Sequence, residues 1–299
     1  MTLTTEGLTY ESTSRTVRTG DLQLHYHEAG AGEPLVLLHG GGPGASAWSN
    51  WKQNLAPLAR HFRVLAIDQP GYGRSDKPLI KGGMWEFYAR AVRGLLDELG
   101  IERTHFIGNS LGGGTTLKFA LDYPERTDRL VLMGPAGGML PITSCWPSEG
   151  LKTLMAFYAP PGPSREKMQA IIEALMYNPG KVDPDVLEER YQAAIEPEAM
   201  ATATAVFKAV QSGEAVLVAE ELWRDVHRIT NPTLLMWGRD DRVVPLDSAL
   251  FMTRHMPDAR LHVFPRCGHW AQVEHAAEFE RLVIDFLLSC RAPAEEDGR

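Results

Sequence analysis

The residues best suited to chemistry form a short run in the middle of the chain, Gly108-Asn109-Ser110-Leu111-Gly112, which has the pattern G-x-S-x-G. The apolar residues before it predict a buried strand, and the segment 111–123 predicts a helix. Such a tight strand-to-helix turn holds its serine in a strained, exposed position, and the next backbone N–H lies at a helix N-terminus, where it can stabilise an oxyanion. The pattern therefore predicts Ser110 as a nucleophile and Leu111 as an oxyanion donor, with a purely structural glycine turn as the alternative.

A serine nucleophile needs a base, and the base needs an acid that fixes its tautomer. At a turn of this kind the chain order is serine, then Asp or Glu, then His. Asp240 and Asp241 both follow a predicted strand, and His269 lies in a glycine-containing loop after the next one. We therefore predict His269 as the base, while spacing alone leaves the choice between the two aspartates open.

A second glycine-rich segment, His39-Gly40-Gly41-Gly42, directly follows the apolar run 35–38. A glycine run at the carboxyl end of a strand is typical of the loop that completes an oxyanion hole. We expect Gly41 or Gly42 to supply the second N–H. His39 is expected to support this loop by hydrogen bonding rather than to act in catalysis.

Alternating strand and helix patterns surround these residues and predict an α/β fold, with a mostly parallel twisted sheet and helices on both faces. From about 136 to 226 there is no strand-like run, and short helices are predicted at 149–158, 165–176, 185–194 and 199–210. This stretch is interpreted as an insertion over the carboxyl ends of the strands, where such sheets bind ligands. The predicted organisation is a core at 1–139, a helical lid at 140–210 and a second core part at 211–299.

The composition excludes several classes of function. The 299 residues carry a net charge of −8 with acidic and basic residues mixed, so no basic block predicts nucleic-acid binding. No apolar run is long enough to cross a membrane, and the N-terminal residues lack the pattern of a signal peptide, so we expect a soluble cytoplasmic protein. The three cysteines, Cys145, Cys267 and Cys290, are widely spaced and predict neither disulfides nor a zinc site.

Taken together, these motifs resemble those of the α/β-hydrolases and, more narrowly, of the meta-cleavage product hydrolases. Those enzymes hydrolyse a carbon–carbon bond in dienoates formed by ring-opening of catechols. The resemblance covers almost the whole chain and is carried by five stretches: HGGGPGASAWSN (39–50), DQPGYGRSD (68–76), GNSLGGG (108–114), WGRDDRVVP (237–245) and CGHWAQVEH (267–275).

The resemblance implies a triad of Ser110, Asp241 and His269, and so selects Asp241 over Asp240. It implies Gly41 and Leu111 as the oxyanion donors, no metal or organic cofactor, a small-molecule dienoate as substrate and a homo-oligomer, either a dimer or a tetramer. It also implies a set of substrate contacts: Gly42, Asn50, Asn109, Arg190 and Trp270.

Arg190 makes chemical sense in that set, because a guanidinium matches the carboxylate of a dienoate. Without the resemblance, its local sequence, Glu188-Glu189-Arg190, favours a solvated helix face.

One position bears on the substrate. Family members acting on biphenyl-derived substrates typically have methionine after the serine, whereas this chain has Leu111, which resembles the actinobacterial enzymes of steroid ring degradation. Apolar residues of the predicted lid are expected either to line a pocket for such a bulky group or simply to pack. The alternatives to a carbon–carbon hydrolase are a carboxylesterase with the same triad and a non-catalytic ligand receptor. A dehalogenase or epoxide hydrolase would require a carboxylate nucleophile where this chain has Ser110.

Overall fold

A sheet of eight strands forms the centre of the computed structural model, which describes residues 7–80, 82–138, 147–212 and 221–289. The strands of this described part are β1 (Ser14–Thr19), β2 (Leu22–Ala29), β3 (Pro34–Leu38), β4 (Arg63–Ile67), β5 (Thr104–Asn109), β6 (Thr127–Met133), β7 (Thr233–Gly238) and β8 (Ala259–Phe264).

The strand order is β1-β2-β4-β3-β5-β6-β7-β8. The pairs β1–β2 and β2–β4 are antiparallel, and every pair from β4 to β8 is parallel. All six residues of β5 are buried, because helices cover both faces of the sheet there. The predicted α/β fold with a mostly parallel sheet is confirmed.

Helices cover both faces of this sheet. In chain order the described helices are α1 (Tyr10–Thr13), α2 (Ala47–Ala59), α3 (Met84–Glu98), α4 (Leu111–Asp122), α5 (Glu149–Met155), α6 (Arg165–Leu175), α7 (Pro184–Ile195), α8 (Pro197–Ser212), α9 (Asp247–His255), α10 (Ala271–Glu274) and α11 (Ala276–Leu288). Short 3₁₀ helices lie at Pro124–Arg126, Pro179–Lys181, Leu222–Arg224 and Val226–Arg228. None of the helices in the described ranges is long and apolar enough to span a bilayer.

Four of these helices, α5 to α8, lie between β6 and β7 in the chain and are called here the helical insertion. Each coincides with a helix predicted from the sequence, with ends that differ by a few residues. The predicted domain limit at 139/140 lies outside the described residues, and the limit at 210/211 falls within α8. The insertion shares one apolar cluster with the sheet through buried residues such as Phe157, Met168 and Ile172.

Of the three cysteines, Cys145 and Cys290 lie outside the described residues. Cys267 is a free, buried thiol, and burial raises its pKa well above the usual range. A thiol held protonated in this way is a poor nucleophile and a poor metal ligand.

Candidate active site

Ser110 lies in the turn between β5 and α4 with a backbone φ of 51° and ψ of −113°, a conformation that non-glycine residues rarely adopt. Its N–H donates to the carbonyl of Met133, which fixes the turn to the neighbouring strand. The flanking glycines are required by space: a methyl group at Gly108 would lie 2.5 Å from the Gly112 carbonyl oxygen, and one at Gly112 would lie 2.2 Å from that of Leu38. The strained serine turn predicted from the sequence is present.

His269 and Asp241 form a buried pair beside this turn. The distance from Nδ1 to Oδ2 is 2.7 Å, and each side chain is 2% exposed. The other carboxylate oxygen of Asp241 accepts from the N–H groups of Val243 and Val244 at 2.8 and 3.0 Å. Asp240 is 33% exposed on its side chain and makes no contact with the imidazole. Between the two aspartates that the spacing left open, the histidine is paired with Asp241.

A hydrogen bond joins the turn that carries Ser110 to the loop that carries His269. The residue before the serine, Asn109, donates from Nδ2 to the carbonyl of His269 at 3.4 Å. His269 Nε2 is buried and has no hydrogen-bond partner, so the imidazole is oriented on its Nδ1 side and has Nε2 free to take up a proton. Ser110 and His269 are not hydrogen-bonded to each other in this arrangement.

The glycine loop 39–42 lies over the N-terminus of α4. The N–H of Gly112 donates to the His39 carbonyl at 3.0 Å, and a methyl group at Gly41 would lie 3.4 Å from Cβ of Leu111. As the first residue of α4, Leu111 has an N–H without an intrahelical acceptor. The Gly41 backbone therefore packs against the helix end that carries the free N–H of Leu111.

His39 is wholly buried, and both of its ring nitrogens contact backbone groups of this loop and of Gln69. Its Nδ1 lies 2.8 Å from the Gly40 carbonyl oxygen, and its Nε2 accepts from the N–H of Gln69 at 3.0 Å. Burial lowers the pKa of His39, which favours the neutral ring that this pattern of one donor and one acceptor requires. The expected role as a hydrogen-bonded loop support fits these contacts.

Arg190 extends from helix α7 to Pro43, the residue that follows the glycine loop 39–42. It is 1% exposed, its Nη2 donates to the Pro43 carbonyl at 2.9 Å, and its Cζ lies 5.3 Å from the centroid of the Trp270 indole ring. Burial lowers its pKa to about 10, so the guanidinium remains charged at neutral pH. No carboxylate of the described residues forms an ion pair with it, and its Nε has no partner. The interpretation of Arg190 as part of a solvated helix face is wrong.

Two buried asparagines have unused polar atoms. Both side-chain polar atoms of Asn50 and Oδ1 of Asn109 have no hydrogen-bond partner. Asn50 and Trp270 also line a cleft of about 440 Å³ between α2 and α7. Buried polar groups without partners are uncommon and are expected to bind a ligand or water.

A second chain of serine, histidine and aspartate, in which the histidine and the aspartate are buried, lies elsewhere in the fold. Ser14 Oγ is 2.8 Å from His25 Nε2, and His25 Nδ1 is 2.7 Å from Asp68 Oδ2. Ser14, however, has an ordinary extended backbone at the start of an edge strand and does not precede a helix. Asp68 also accepts from the N–H groups of Ala47 and Arg74, so this set fixes the loop 68–76 rather than forming a nucleophile.

Glu274 and Arg242 were not predicted from the sequence as site residues, although both lie in stretches that carry the family resemblance. Glu274 is 3% exposed and accepts three backbone hydrogen bonds, one of them from Gly268 beside the candidate base. The only signal in the sequence is a carboxylate after the largely apolar run 270–273, which is equally compatible with a helix surface.

Comparison with known proteins bears on this site. The α/β-hydrolase fold family matches residues 33–276. A 2-hydroxy-6-oxo-6-phenylhexa-2,4-dienoate hydrolase from Burkholderia cepacia is 42% identical over 272 residues, which is 90% of this chain and 92% of that protein. A 2-hydroxy-6-oxononadienedioate/2-hydroxy-6-oxononatrienedioate hydrolase from Comamonas testosteroni is 41% identical over 90% of this chain and 92% of its own length.

Solved structures of meta-cleavage product hydrolases are also similar to this chain over most of its length. The 2-hydroxy-6-oxo-6-phenylhexa-2,4-dienoate hydrolase from Rhodococcus sp. strain RHA1 superposes with a TM-score of 0.81 at 32% identity, covering 92% of this chain and 98% of that one. A meta-cleavage product hydrolase from Pseudomonas fluorescens has a TM-score of 0.80 at 35% identity, covering 91% and 97%.

Proposed function

Because the chain belongs to the α/β-hydrolase family and, within it, to the meta-cleavage product hydrolases, we propose that it hydrolyses a carbon–carbon bond in a 2-hydroxy-6-oxohexa-2,4-dienoate. The products are a 2-hydroxypenta-2,4-dienoate and a carboxylic acid. The observation that carries the proposal is Arg190 of helix α7, a buried cation without an ion-pair partner among the described carboxylates, whose Nη2 is bonded to Pro43 directly after the glycine loop 39–42. An unpaired buried charge is costly and suits an anionic substrate, whereas a simple ester offers it no partner.

The first stage of the proposed reaction moves protons. Arg190 binds the substrate carboxylate, and the unused polar atoms of Asn50 and Asn109 are available to its enol and carbonyl oxygens. His269 then transfers a proton between the enol and the carbon chain, which gives the keto tautomer. Protonation of the chain carbon creates the electron sink that the following bond cleavage requires.

The second stage adds an oxygen nucleophile to the remote carbonyl. The N–H groups of Gly41 and Leu111 stabilise the resulting oxyanion, and its collapse breaks the carbon–carbon bond. The electron pair of the broken bond moves to the dienoate fragment, whose enolate oxygen takes up one proton of the water. The oxygen and the other proton of the water complete the carboxylic acid. Asp241 keeps His269 in the tautomer that accepts protons and stabilises its charged form.

Two routes lead to the same products: Ser110 forms an acyl ester that water then hydrolyses, or it activates water directly. A rapid-quench experiment separates them, because only the first route adds the mass of the acyl group to a peptide containing Ser110.

The helical insertion is proposed as a lid over this site, since its helix α7 supplies Arg190. The relatives above are named for phenylhexadienoate and oxononadienedioate substrates. The steroid-type substrate, the cytoplasmic location and the dimer or tetramer remain predictions that rest on the sequence.

The experiment that tests the proposal is stopped-flow absorbance with three dienoates, one phenyl-substituted, one secosteroid-like and one with a second carboxylate, beside p-nitrophenyl acetate. These dienoates are coloured, so their loss is followed directly. Fast decay of at least one dienoate is expected, and the preferred one identifies the substituent. Hydrolysis of the ester alone would make the protein an esterase, and binding without turnover of either class would make it a receptor.

A further inference from the structure

The last turn of helix α6 lies against both loops that carry the acid and the base of the proposed triad. The N–H of His269 donates to the carbonyl of Leu175 at 2.7 Å. From the other loop, Nη2 of Arg242 donates to the carbonyls of Met176, at 3.0 Å, and of Glu173. The C-terminal end of α6, within the helical insertion, is therefore bonded to the residue after Asp241 and to His269 itself.

Glu274 completes this junction from helix α10. Its Oε2 accepts from the N–H of Gly268 at 2.7 Å and from that of Tyr177 at 3.0 Å, and its Oε1 accepts from Asn178 at 2.8 Å. The carboxylate is 3% exposed, so three backbone donors take the place of its water. Bonds from N–H groups to a buried carboxylate are among the stronger hydrogen bonds in proteins.

We infer that Glu274 is a positioning residue of the hydrolysis, and this inference rests on the proposed function. Its carboxylate ties the turn after α6 to Gly268, the residue that immediately precedes the base, and so fixes where the His269 imidazole meets Asp241. The backbone there has no room to relax inward, because a methyl group at Gly268 would lie 2.6 Å from the Leu175 carbonyl oxygen.

The role is positional and not catalytic, because the hydrogen-bond partners of this carboxylate among the described residues are main-chain N–H groups. Its effect on the reaction passes through the backbone of Gly268 to His269. Displacement of a reacting group by about 1 Å can cost about 100-fold in rate, so the loss of three supporting bonds is expected to act mainly on kcat.

The test compares Glu274→Ala and Glu274→Gln with Glu278→Gln as control. Glu278 lies on the next helix with a side chain 42% exposed. The alanine variant leaves three N–H groups without an acceptor and is expected to lower kcat about 100-fold with little change in KM. The glutamine variant keeps one acceptor oxygen, for Gly268 and Tyr177, and presents an NH₂ group to Asn178. It is therefore expected to recover most of the loss, to within about 10-fold of the parent.

A second readout separates positioning from simple stabilisation. A displaced imidazole slows the chemical step in every folded molecule, so kcat of Glu274→Ala is expected to stay low well below its melting temperature, with KM close to that of the parent. A role in stability alone would lower the melting temperature and leave kcat of the folded protein unchanged.

Unchanged kcat in folded Glu274→Ala would overturn the inference, as would a Glu274→Gln protein that fails to fold. The parent enzyme is assayed in parallel on a dienoate and on p-nitrophenyl acetate. If the parent hydrolyses only the ester, the proposed function fails by itself, and Glu274 is then judged on ester turnover, which uses the same triad.

Discussion

The guanidinium of Arg190 lies over the indole ring of Trp270, with Cζ 5.3 Å from the ring centroid. Trp270 directly follows His269 in the chain, so the proposed anchor for the substrate carboxylate packs against the neighbour of the proposed base. The anchor comes from the helical insertion and the base from the core. Any shift of helix α7 is therefore expected to affect substrate binding first and the position of the base second.

The choice of Asp241 as the acid can be tested by Asp241→Asn. An amide at this position can present its NH₂ group to Nδ1 and favours the wrong tautomer of His269, so kcat is expected to fall by about 10³- to 10⁴-fold on a dienoate. The measurement is steady-state and single-turnover kinetics at neutral pH.

The matched control is Asp240→Asn, which removes a charge one residue away at an exposed position. It is expected to keep kcat close to that of the parent. Equal losses in the two variants would mean that local charge, and not the contact with His269, governs the rate.

Arg190→Gln tests the carboxylate anchor. Charge-assisted hydrogen bonds contribute about 1.5–3 kcal/mol, so KM for the dienoate is expected to rise by about 10- to 100-fold. Turnover of p-nitrophenyl acetate, which has no carboxylate, is expected to change much less. The two substrates are compared in the same preparation.

Arg165→Gln serves as the control, because Arg165 is an exposed arginine on helix α6 that pairs with Glu188. It is expected to leave both KM values unchanged. If Arg190→Gln lowered ester and dienoate turnover alike, the guanidinium would be a structural support of the glycine loop rather than an anchor.

The sequence was sufficient to predict most of the sheet and the chemistry of its edge. Runs such as 35–38 and 130–133 are wholly apolar because both faces of the parallel strands are covered, and that pattern is visible without a structure. The serine turn is also visible in the sequence, because its glycines are dictated by contacts within a few residues of Ser110 and with one neighbouring strand. Helix α9, by contrast, was not predicted from the sequence.

Burial of polar residues could not be read in the same way. Glu188 and Glu189 have side chains 47% and 41% exposed, and their neighbour Arg190 is buried only because the helix turns it toward the segment 43–44 and Trp270. Glu274 likewise finds two of its three donors about 96 residues away in the chain. Interactions that join distant segments leave no periodic pattern in either of them.

Gly44→Ala tests whether substrate binding depends on the position of helix α7 relative to the segment 43–44. Gly44 has φ of +65°, and a methyl group there would lie 1.8 Å from the main-chain oxygen of Arg190. Helix α7 must shift to relieve this overlap, so the variant is expected to raise KM for the dienoate and to lower the melting temperature.

Gly20→Ala provides the control for backbone strain. Gly20 has a similar φ of +57° in the turn between β1 and β2, with no atom within 4 Å of the added methyl group. Gly20→Ala is expected to lower the free energy of unfolding by about 1 kcal/mol, through the strain of a left-handed backbone, and to leave KM unchanged. A KM that stays at the parental value in Gly44→Ala would mean that α7 can move without displacing Arg190.

The lowered pKa of His27 predicts how the stability of the fold changes in acid. It is 1% exposed, its Nδ1 lies 2.8 Å from Thr13 Oγ1, and burial, with a smaller contribution from His25, lowers its pKa from 6.5 to about 4. Between these values the unfolded chain binds the proton and the folded chain does not, so stability is complete above pH 6.5 and falls as the pH drops toward 4. The loss from this one group is expected to be about 3 kcal/mol in the free energy of unfolding.

Urea unfolding at about pH 7 and about pH 4.5 measures this effect in the parent, in His27→Gln and in His61→Gln. Glutamine can still bond Thr13 but carries no proton in this range, so His27→Gln is expected to lose less stability on acidification than the parent does. His61 is exposed at the end of α2, and its replacement is expected to leave the parental pH dependence intact. If His27→Gln and the parent lose the same free energy between the two pH values, the response to acid does not come from His27.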